Sequence, residues 1–165
     1  RGATILGEIK GYGNFSDAFD LTAPSKDPQA KVKTLRRALE QAGLGSHEID
    51  YINAHGTSTL QNDVNETEAI KAALGCDAYR TPISSTKSYT GHLLGASGSF
   101  EAIVCLQALQ QQMMPATCHL HETDPACDLD YIREGHRHGR LRNVMSLSFG
   151  FGGANAALVF GNHYE

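Results

Sequence analysis

Two histidines lie in segments that combine glycine with hydroxyl side chains, directly after short apolar runs. His55 lies in segment 53–59 (NAHGTST), and His92 lies in segment 84–95 (SSTKSYTGHLLG). Such apolar runs are typical of buried strands, so each histidine is expected at a strand end or a helix start, facing a cavity. An imidazole in that position can donate a hydrogen bond or transfer a proton. The two segments therefore predict one site that uses both histidines.

A third segment, 148–155 (SFGFGGAN), combines an aromatic side chain with several glycines. Phe151 stands between Gly150 and Gly152. Glycine on both sides permits backbone motion that bulky neighbours would resist. The segment predicts a mobile loop that carries an aromatic ring.

In this order, the three segments resemble the C-terminal half of a β-ketoacyl-acyl carrier protein synthase, closest to the elongating type of fatty-acid synthesis. The resemblance covers residues 1–160. It implies an acyltransferase, a 3-oxoacyl-acyl carrier protein synthase, that performs a decarboxylative Claisen condensation. An acyl group is held as a thioester on a cysteine, malonyl-carrier protein loses carbon dioxide, and the resulting enolate attacks that thioester. Hydrogen-bond donors aimed at the enolate or the tetrahedral oxyanion contribute about 3 kcal/mol each.

The resemblance implies roles for the charged and imidazole side chains. His55 and His92 match the histidines that bind the malonyl thioester carbonyl and stabilise the enolate. Lys87 and Glu66 match a lysine and a glutamate that lie close together and help to order the site. Two alternatives stay open at this point: Lys87 as a solvated charge, and Glu66 as the capping-box partner of Asp63, three residues earlier on a helix.

Further matches concern the substrate arm and the aromatic loop. Thr57 and Thr59 match residues that hydrogen-bond the phosphopantetheine arm, with turn hydroxyls as the alternative. Phe151, between Gly150 and Gly152, matches a gate whose backbone amide joins the oxyanion hole and whose ring guards the acyl pocket. The alternative for Phe151 is an aromatic plug in a tight hairpin.

The sequence departs from the resemblance at two places near the site. Relatives often carry Pro-x-Gly where this chain has residues 60–62 (LQN), so the turn before Asp63 is expected to differ. Ala154 stands where threonine is common. The resemblance also places His92 near the start of a long helix, whose dipole would favour the neutral imidazole.

The nucleophile of the implied reaction has no counterpart in this chain. In the resembled family, the catalytic cysteine belongs to the N-terminal half. The four cysteines here are Cys76, Cys105, Cys118 and Cys127, and they show no CxxC spacing. Cys105 lies inside an apolar helix and is expected to be an inert packing thiol. A zinc site formed by residues 118–127 (CHLHETDPAC) is a weaker hypothesis because its spacing matches no standard zinc pattern, so no metal is predicted.

The apolar periodicities predict an α/β domain. Strands are expected over residues 4–9, 49–54, 82–85, 144–149 and 156–160, with a loop over 11–17, an irregular stretch over 115–142 and a closing hairpin around the glycine loop. Helices are expected over 32–42, ending at Gly43, over 63–75, and from 90–93 onward. The crowding of Gly91, Gly95 and Gly98 in the last of these predicts close contact with another backbone.

This order corresponds to one mixed, mostly parallel sheet with helices on both faces. By resemblance it is a thiolase-like half-domain, with residues 1–165 forming the second of two pseudo-symmetric halves.

Composition excludes several classes of function. The 165 residues carry a net charge of −4, so the chain as a whole does not attract nucleic acid electrostatically. The most apolar helix candidate, 93–109, contains serine, glutamate and glutamine and falls short of a membrane span. The cysteine usage indicates reduced thiols and a cytoplasmic protein. The chain opens on Arg1 without a methionine, and we expect it to be a piece of something longer.

The expected partners follow from the resemblance. They are the missing N-terminal half and acyl carrier protein, with a homodimer for the complete enzyme and no cofactor beyond the carrier's phosphopantetheine. The basic run 133–142 (REGHRHGRLR) offers a docking surface for an acidic carrier, but ordinary solvated surface is the preferred explanation. Alternative functions are a non-catalytic chain-length-factor-like subunit, a polyketide-type ketosynthase half, and a thiolase. The two histidines disfavour the first, and the histidine pattern around GHLLG disfavours the last.

Overall fold

The computed structural model describes residues 2–163; Arg1, Tyr164 and Glu165 lie outside the described part of the chain. The strands are β1 (Glu8–Ser16), β2 (Tyr51–Asn53), β3 (Ile83–Ser84), β4 (Met113–Met114), β5 (Arg137–His138), β6 (Asn143–Phe149) and β7 (Ala154–Gly161). The α-helices are α1 (Gln29–Ala42), α2 (Leu60–Leu74), α3 (Lys87–Thr90) and α4 (Ser97–Gln111).

The main sheet is mixed, in the order β1-β7-β6-β2-β3. The pairings β6–β2 and β2–β3 are parallel, whereas β1–β7 and β7–β6 are antiparallel. The predicted closing hairpin is therefore confirmed as β6–β7, and parallel pairing is confined to one side of the sheet. A separate two-stranded ribbon, β4–β5, interrupts the stretch that was expected to be irregular.

Parallel pairing of three strands brings their carboxyl ends to one edge of the sheet. His55 follows β2, Lys87 follows β3, and Gly150 follows β6. Ligands of open α/β sheets bind beyond the carboxyl ends of the strands. The topology thus gathers the three segments that the sequence singled out.

Two apolar cores cover the two faces of the sheet. Alternation along β6 sends Met145 into the core beneath α1 and α2, and sends Val144 into the core beneath α4. Leu35 on α1 belongs to the first core, and Leu109 on α4 belongs to the second. The expectation of an α/β sheet with helices on both faces is confirmed.

The first strand lies later in the chain than predicted. The sequence indicated a strand over 4–9 and a loop over 11–17, but β1 runs from Glu8 to Ser16. Its glycines lie directly under α1: a Cβ on Gly11 would come 2.1 Å from the Ala38 carbonyl oxygen, and one on Gly13 would come 1.9 Å from that of Thr34. These glycines let the helix approach the strand, rather than forming a loop.

One predicted helix end is confirmed, and two predicted helix starts are wrong. Gly43 ends α1 as expected, with φ of 66° and its N–H bonded to the Glu40 carbonyl oxygen. By contrast, α2 begins at Leu60, so the predicted start at Asp63 is wrong. The long helix α4 begins at Ser97 and not at 90–93, because α3 and a 3₁₀ turn at Leu94–Ala96 precede it.

Among residues 2–163, the glycines at the start of α4 and just before it make no close backbone contact. Gly91 adopts φ of 71°, a left-handed conformation that favours glycine. A Cβ on Gly95 would meet nothing within 4 Å, and one on Gly98 would make an ordinary contact with Ser148. The predicted close contact with another backbone, that of the corresponding helix in an N-terminal half, is not tested by residues 2–163 and stays a prediction. In that same part of the chain, no helix is long and apolar enough to cross a membrane.

Candidate active site

The two histidines meet edge to face beyond the carboxyl ends of β2 and β3. Their ring centroids are 5.6 Å apart with an interplanar angle of 83°. His55 is almost fully buried and its ring also packs against Phe149, at 5.7 Å between centroids. His92 is exposed. One imidazole is therefore held in the wall of a cavity and the other stands at its surface.

Glu66 holds the backbone that carries His55. Its Oε1 accepts the N–H of His55 at 2.8 Å, and its Oε2 accepts the N–H of Gly56 at 2.9 Å. The Asn62 amide donates to the same Oε2 at 3.2 Å. The capping-box alternative for Glu66 is wrong, because α2 begins at Leu60 and this carboxylate faces the end of β2. Burial raises the pKa of Glu66, and the two backbone N–H donors oppose that rise.

His55 is neutral over the physiological pH range. Burial lowers its pKa to about 3, and the positive charges of Lys87 and Lys31 and the neighbouring His92 act in the same direction. Its Nδ1 is buried without a hydrogen-bond partner among residues 2–163. A neutral imidazole retains one N–H donor, which is what stabilisation of an enolate requires.

We expect His55 to stay neutral as the pH is lowered from 8 to about 4, because its protonation would place an unpaired charge in a buried site. NMR of ¹⁵N-labelled imidazole nitrogens should show shifts for His55 that are flat over this range, with free histidine as the titrating reference near pH 6.5. A midpoint for His55 between pH 6 and 7 would contradict the prediction.

Hydrogen bonds orient the ring of His92. Its Nδ1 accepts the backbone N–H of Leu94 at 3.0 Å and lies 3.2 Å from the Ser97 hydroxyl. In the neutral ring, an accepting Nδ1 leaves the proton on Nε2. The 3₁₀ turn at Leu94–Ala96 leads directly into α4, so His92 lies near the start of the long helix as expected, and the N–H of Leu94 orients its imidazole.

Lys87 forms a buried ion pair with Glu101 of α4. Both side chains are almost inaccessible to solvent. The alternative of Lys87 as a solvated charge is therefore wrong, and its ion-pair partner is Glu101. Burial raises the pKa of Glu101, while the ammonium of Lys87 lowers it. The pair ties α3 to α4 on either side of His92.

The two threonines lie on the turn between β2 and α2. The hydroxyls of Thr57 and Thr59 are 3.1 Å apart. Gly56 and Ser58 both have positive φ, so this turn is sharply bent. The departure at residues 60–62 is accommodated as the first turn of α2.

The glycine loop joins β6 to β7 and presents an exposed ring. Phe151 is 72% exposed. The N–H of Gly152, at φ of 72°, donates to the Leu21 carbonyl at 2.8 Å, and the N–H of Asp17 donates to the Gly153 carbonyl at 3.0 Å. Phe151 is not a core plug, so that alternative is wrong. Two backbone hydrogen bonds connect its loop to the segment after β1.

A cavity of about 970 Å³ collects most of the predicted site residues. They are His55, Thr57, Thr59, His92, Gly150 and Phe151. A second cavity of about 550 Å³ shares the two threonines and is also lined by Asp63, Glu66 and Lys87. Gly152 lies in the loop beside the first cavity.

Known proteins are similar to this domain in sequence. Residues 6–121 match the family described as "Beta-ketoacyl synthase, C-terminal domain". The chain belongs to the β-ketoacyl synthase family. Its residues are 48% identical over 160 positions to 3-oxoacyl-[acyl-carrier-protein] synthase 2 of Synechocystis sp., covering 97% of this chain and 38% of that protein. Identity is 46% over 159 residues to the actinorhodin polyketide putative β-ketoacyl synthase 1 of Streptomyces coelicolor, covering 96% and 34%.

Solved structures of β-ketoacyl synthases have the same fold. A β-ketoacyl synthase from Burkholderia phymatum superimposes with a TM-score of 0.92 at 44% identity, covering 98% of this chain and 39% of that one. A type II polyketide ketosynthase, solved with its acyl-carrier protein and bound to a hexaketide, gives a TM-score of 0.94 at 36% identity, covering 98% and 40%. The chain thus spans about two-fifths of the length of these relatives and has the thiolase-like fold that was expected.

No cysteine lies in the cavity of this β-ketoacyl synthase domain that holds the two histidines. Cys105 is fully buried, which raises the pKa of its thiol, and Cys76 is exposed. Cys118 and Cys127 line the second cavity. Among residues 2–163, no group of three or more His, Cys, Asp or Glu side chains is arranged to hold a metal ion, so the zinc hypothesis receives no support.

Two buried charges escaped the sequence analysis. Glu101 interrupts an otherwise apolar helix, and that interruption was the available signal for a buried partner. Lys31, on α1, lines the first cavity and is 2% exposed. It precedes Leu35 by four residues and therefore lies on the buried stripe of that helix. A lysine on an apolar stripe was the signal that could have identified it.

Proposed function

We propose that the chain is the C-terminal half of a 3-oxoacyl-[acyl-carrier-protein] synthase that condenses malonyl-carrier protein with an enzyme-bound acyl thioester in fatty-acid biosynthesis. The observation that carries this proposal is the buried, neutral His55 lying edge to face with His92 at one cavity. Two imidazole rings 5.6 Å apart at one cavity suit a thioester oxygen that becomes an enolate.

The histidines act in the decarboxylation step. The bond between the malonyl carboxylate and its α-carbon breaks, carbon dioxide leaves, and the electron pair moves onto the thioester oxygen as an enolate. His55 and the Nε2–H of His92 donate to that oxygen. Because the negative charge on the oxygen grows as carbon dioxide leaves, these donors bind the transition state more tightly than the substrate. The enolate carbon then attacks the carbonyl carbon of the acyl thioester. As the carbon–carbon bond forms and the tetrahedral oxyanion collapses, the carbon–sulfur bond breaks and the cysteine of the N-terminal half leaves as its thiolate.

The remaining site residues position substrate and backbone. Thr57 and Thr59 contact the phosphopantetheine arm at the mouth of the cavity. The exposed Phe151 gates the acyl pocket, with Gly150 and Gly152 as the flexible points of its loop. These roles rest on the resemblance and on the shared cavity.

Support for the histidines comes from a buried carboxylate and a buried ion pair. Glu66 maintains the position of His55 through backbone hydrogen bonds, and Asp63 stands in the first turn of the same helix. Lys87, paired with Glu101, keeps a positive charge near His55, which holds that imidazole in its neutral form.

The proposal includes partners that the chain needs. An N-terminal half supplies the nucleophilic cysteine and completes the domain of which residues 1–165 are the second half. Acyl carrier protein delivers both substrates, the complete enzyme is a homodimer, and the reaction takes place in the cytoplasm. One relative with this fold was solved in complex with its acyl-carrier protein, which supports the second of these partners.

A polyketide-type ketosynthase half is the second candidate. Relatives named as polyketide β-ketoacyl synthases are 43–46% identical to this chain, close to the 48% of the Synechocystis protein. The chain-length-factor-like alternative receives less support because such a subunit has no enolate to stabilise, whereas both histidines are present here.

Co-expression of this chain with the N-terminal half of the Synechocystis relative tests the proposal. Incubation of the assembly with hexanoyl- and malonyl-carrier protein should give 3-oxooctanoyl-carrier protein, identified by mass spectrometry. Repeated extension of one chain to a poly-β-ketone would favour the polyketide candidate. Absence of both products from a correctly assembled complex would reject the proposal.

We expect the isolated 165-residue chain to self-associate. Ile103 on α4 and Leu94 before it are exposed, as are Ile9 and Tyr12 on β1. Extensive exposed apolar surface is rare on soluble monomers, and we expect an N-terminal half to cover these side chains. Light scattering at about 100 μM should show species larger than a monomer.

Polar substitutions provide the matched control for this measurement. The double change Leu94→Ser with Ile103→Ser should shift the scattering towards a monomer. Tyr79→Ser, which alters an exposed ring elsewhere on the chain, should leave the scattering unchanged. A dispersed wild-type monomer would mean that this surface needs no partner.

A further inference from the structure

Lys31 is a buried cation without a hydrogen-bond acceptor. It is the third residue of α1 and lines the same cavity as His55. Its Nζ lies 4.6 Å from the centre of the Phe149 ring and has no hydrogen-bond partner among residues 2–163. The aromatic face attracts the ammonium weakly but offers no lone pair. Three N–H donors therefore remain available.

The carboxylates around Lys31 accept hydrogen bonds from other groups. Asp17, Asp63 and Glu66 each act electrostatically on Lys31. However, Asp17 accepts the backbone N–H groups of Phe19 and Ser25, and both oxygens of Glu66 accept other donors. Asp63 accepts the side-chain amide of Asn62. None of the three forms a hydrogen bond or ion pair with Lys31.

An unpaired buried ammonium is costly, so its retention in a cavity wall needs a compensating ligand. Burial lowers the pKa of Lys31, and the three carboxylates raise it. Phe149 separates Lys31 from His55, since its ring contacts both side chains. A group that meets Lys31 is therefore one aromatic ring away from the reacting thioester.

We propose that Lys31 is a specificity-determining residue that donates a hydrogen bond to an oxygen carried on the acyl chain, so that the site prefers an oxygenated chain over a saturated one. This inference rests on the proposed condensing function and, of its two candidates, favours the polyketide-type half, whose growing chain carries keto oxygens. A saturated chain leaves the amine unpaired, whereas a keto oxygen at the right distance satisfies it. Sites built to bond a polar group discriminate strongly against analogues that lack it.

The malonyl carboxylate is the less suitable partner for Lys31. Its negative charge disappears as carbon dioxide leaves, so a cation held on it would stabilise the substrate more than the transition state. The acyl chain keeps its oxygen throughout the condensation, and pairing with Lys31 then costs nothing in rate. We therefore assign the oxygen of the acyl chain, and not the malonyl carboxylate, as the partner of Lys31.

The test compares Lys31→Met with wild type in the synthase assembled from this chain and its N-terminal half. Substrates are octanoyl-carrier protein and its analogues with a keto group at the third, fifth or seventh carbon. For at least one keto position, Lys31→Met should lower kcat/KM by about 10- to 100-fold, the range expected for a hydrogen bond to a charged group. The kcat/KM for octanoyl and the KM for malonyl-carrier protein should change by less than about threefold.

Two further variants and one binding measurement sharpen this test. Lys31→Arg should keep part of the preference, and Lys33→Met, an exposed position on the same helix, should leave it unchanged. Calorimetric titration with the corresponding acyl-pantetheine amides, which cannot acylate a cysteine, should show the same difference in Kd without turnover.

The outcomes separate the two proposals. Equal losses by Lys31→Met for all chains, or a rise confined to the malonyl KM, would overturn the role of Lys31. If wild type condenses neither octanoyl nor keto substrates, the proposed function fails, and the calorimetric difference still decides whether Lys31 binds the oxygen.

Discussion

Replacement of His55 or His92 by alanine in the assembled synthase is expected to lower malonyl decarboxylation by about two to three orders of magnitude. Removal of one donor to a developing oxyanion typically costs that much. The two imidazole rings lie 5.6 Å apart in the same cavity, so under the proposed function either deletion leaves the enolate oxygen with one donor. The measurement is release of ¹⁴C-labelled carbon dioxide from malonyl-carrier protein.

Acylation of the partner half's cysteine should be largely unaffected by the same substitutions, because no enolate forms in that step. Mass spectrometry of the acyl-enzyme checks this. His138→Ala, at an exposed position on β5, is the matched control and should decarboxylate at the wild-type rate. A histidine whose replacement leaves decarboxylation near wild type does not have the role assigned to it.

The second large effect concerns the chain without its N-terminal half, which is expected to form no carbon–carbon bond. Condensation needs a thiolate to hold the acyl group beside the histidines. The cavity of His55 and His92 contains no cysteine, and burial raises the pKa of Cys105 and Cys127 above the ordinary thiol value. Both effects keep these thiols from acting as the nucleophile.

Mass spectrometry after incubation with hexanoyl- and malonyl-carrier protein tests this second prediction. No 3-oxooctanoyl product should form with the chain alone, and addition of the N-terminal half provides the positive control. A condensed product from the chain alone would show that a thiol within it serves as the nucleophile. Replacement of each of the four cysteines by serine would then identify that thiol.

Local sequence predicted the elements that position the site. An apolar run before His55 and another before Lys87 indicated two strands, and both lie in the parallel part of the sheet. The periodic stripe of α1 with Gly43 behind it predicted that helix and its end. These predictions succeeded because the side chains within one element record which face of that element is buried.

Other features depended on packing between elements. The sequence placed a loop at 11–17, because glycines there are read locally as a break, whereas α1 approaches β1 so closely that any side chain at Gly13 would collide with it. Spacing suggested that Glu66 caps its own helix. Its carboxylate instead accepts a backbone N–H at the end of the preceding strand. Local spacing cannot distinguish these outcomes.

The sequence by itself determined the motif residues and the strands and helices that carry them, because period and turn chemistry are local properties. Tertiary structure alone decided that Lys87 pairs with Glu101, that Glu66 holds His55, and that Lys31 lies unpaired in the cavity. A buried charge takes its partner from whatever element packs against it. That element is usually distant in the chain, so its identity is not encoded in any short segment.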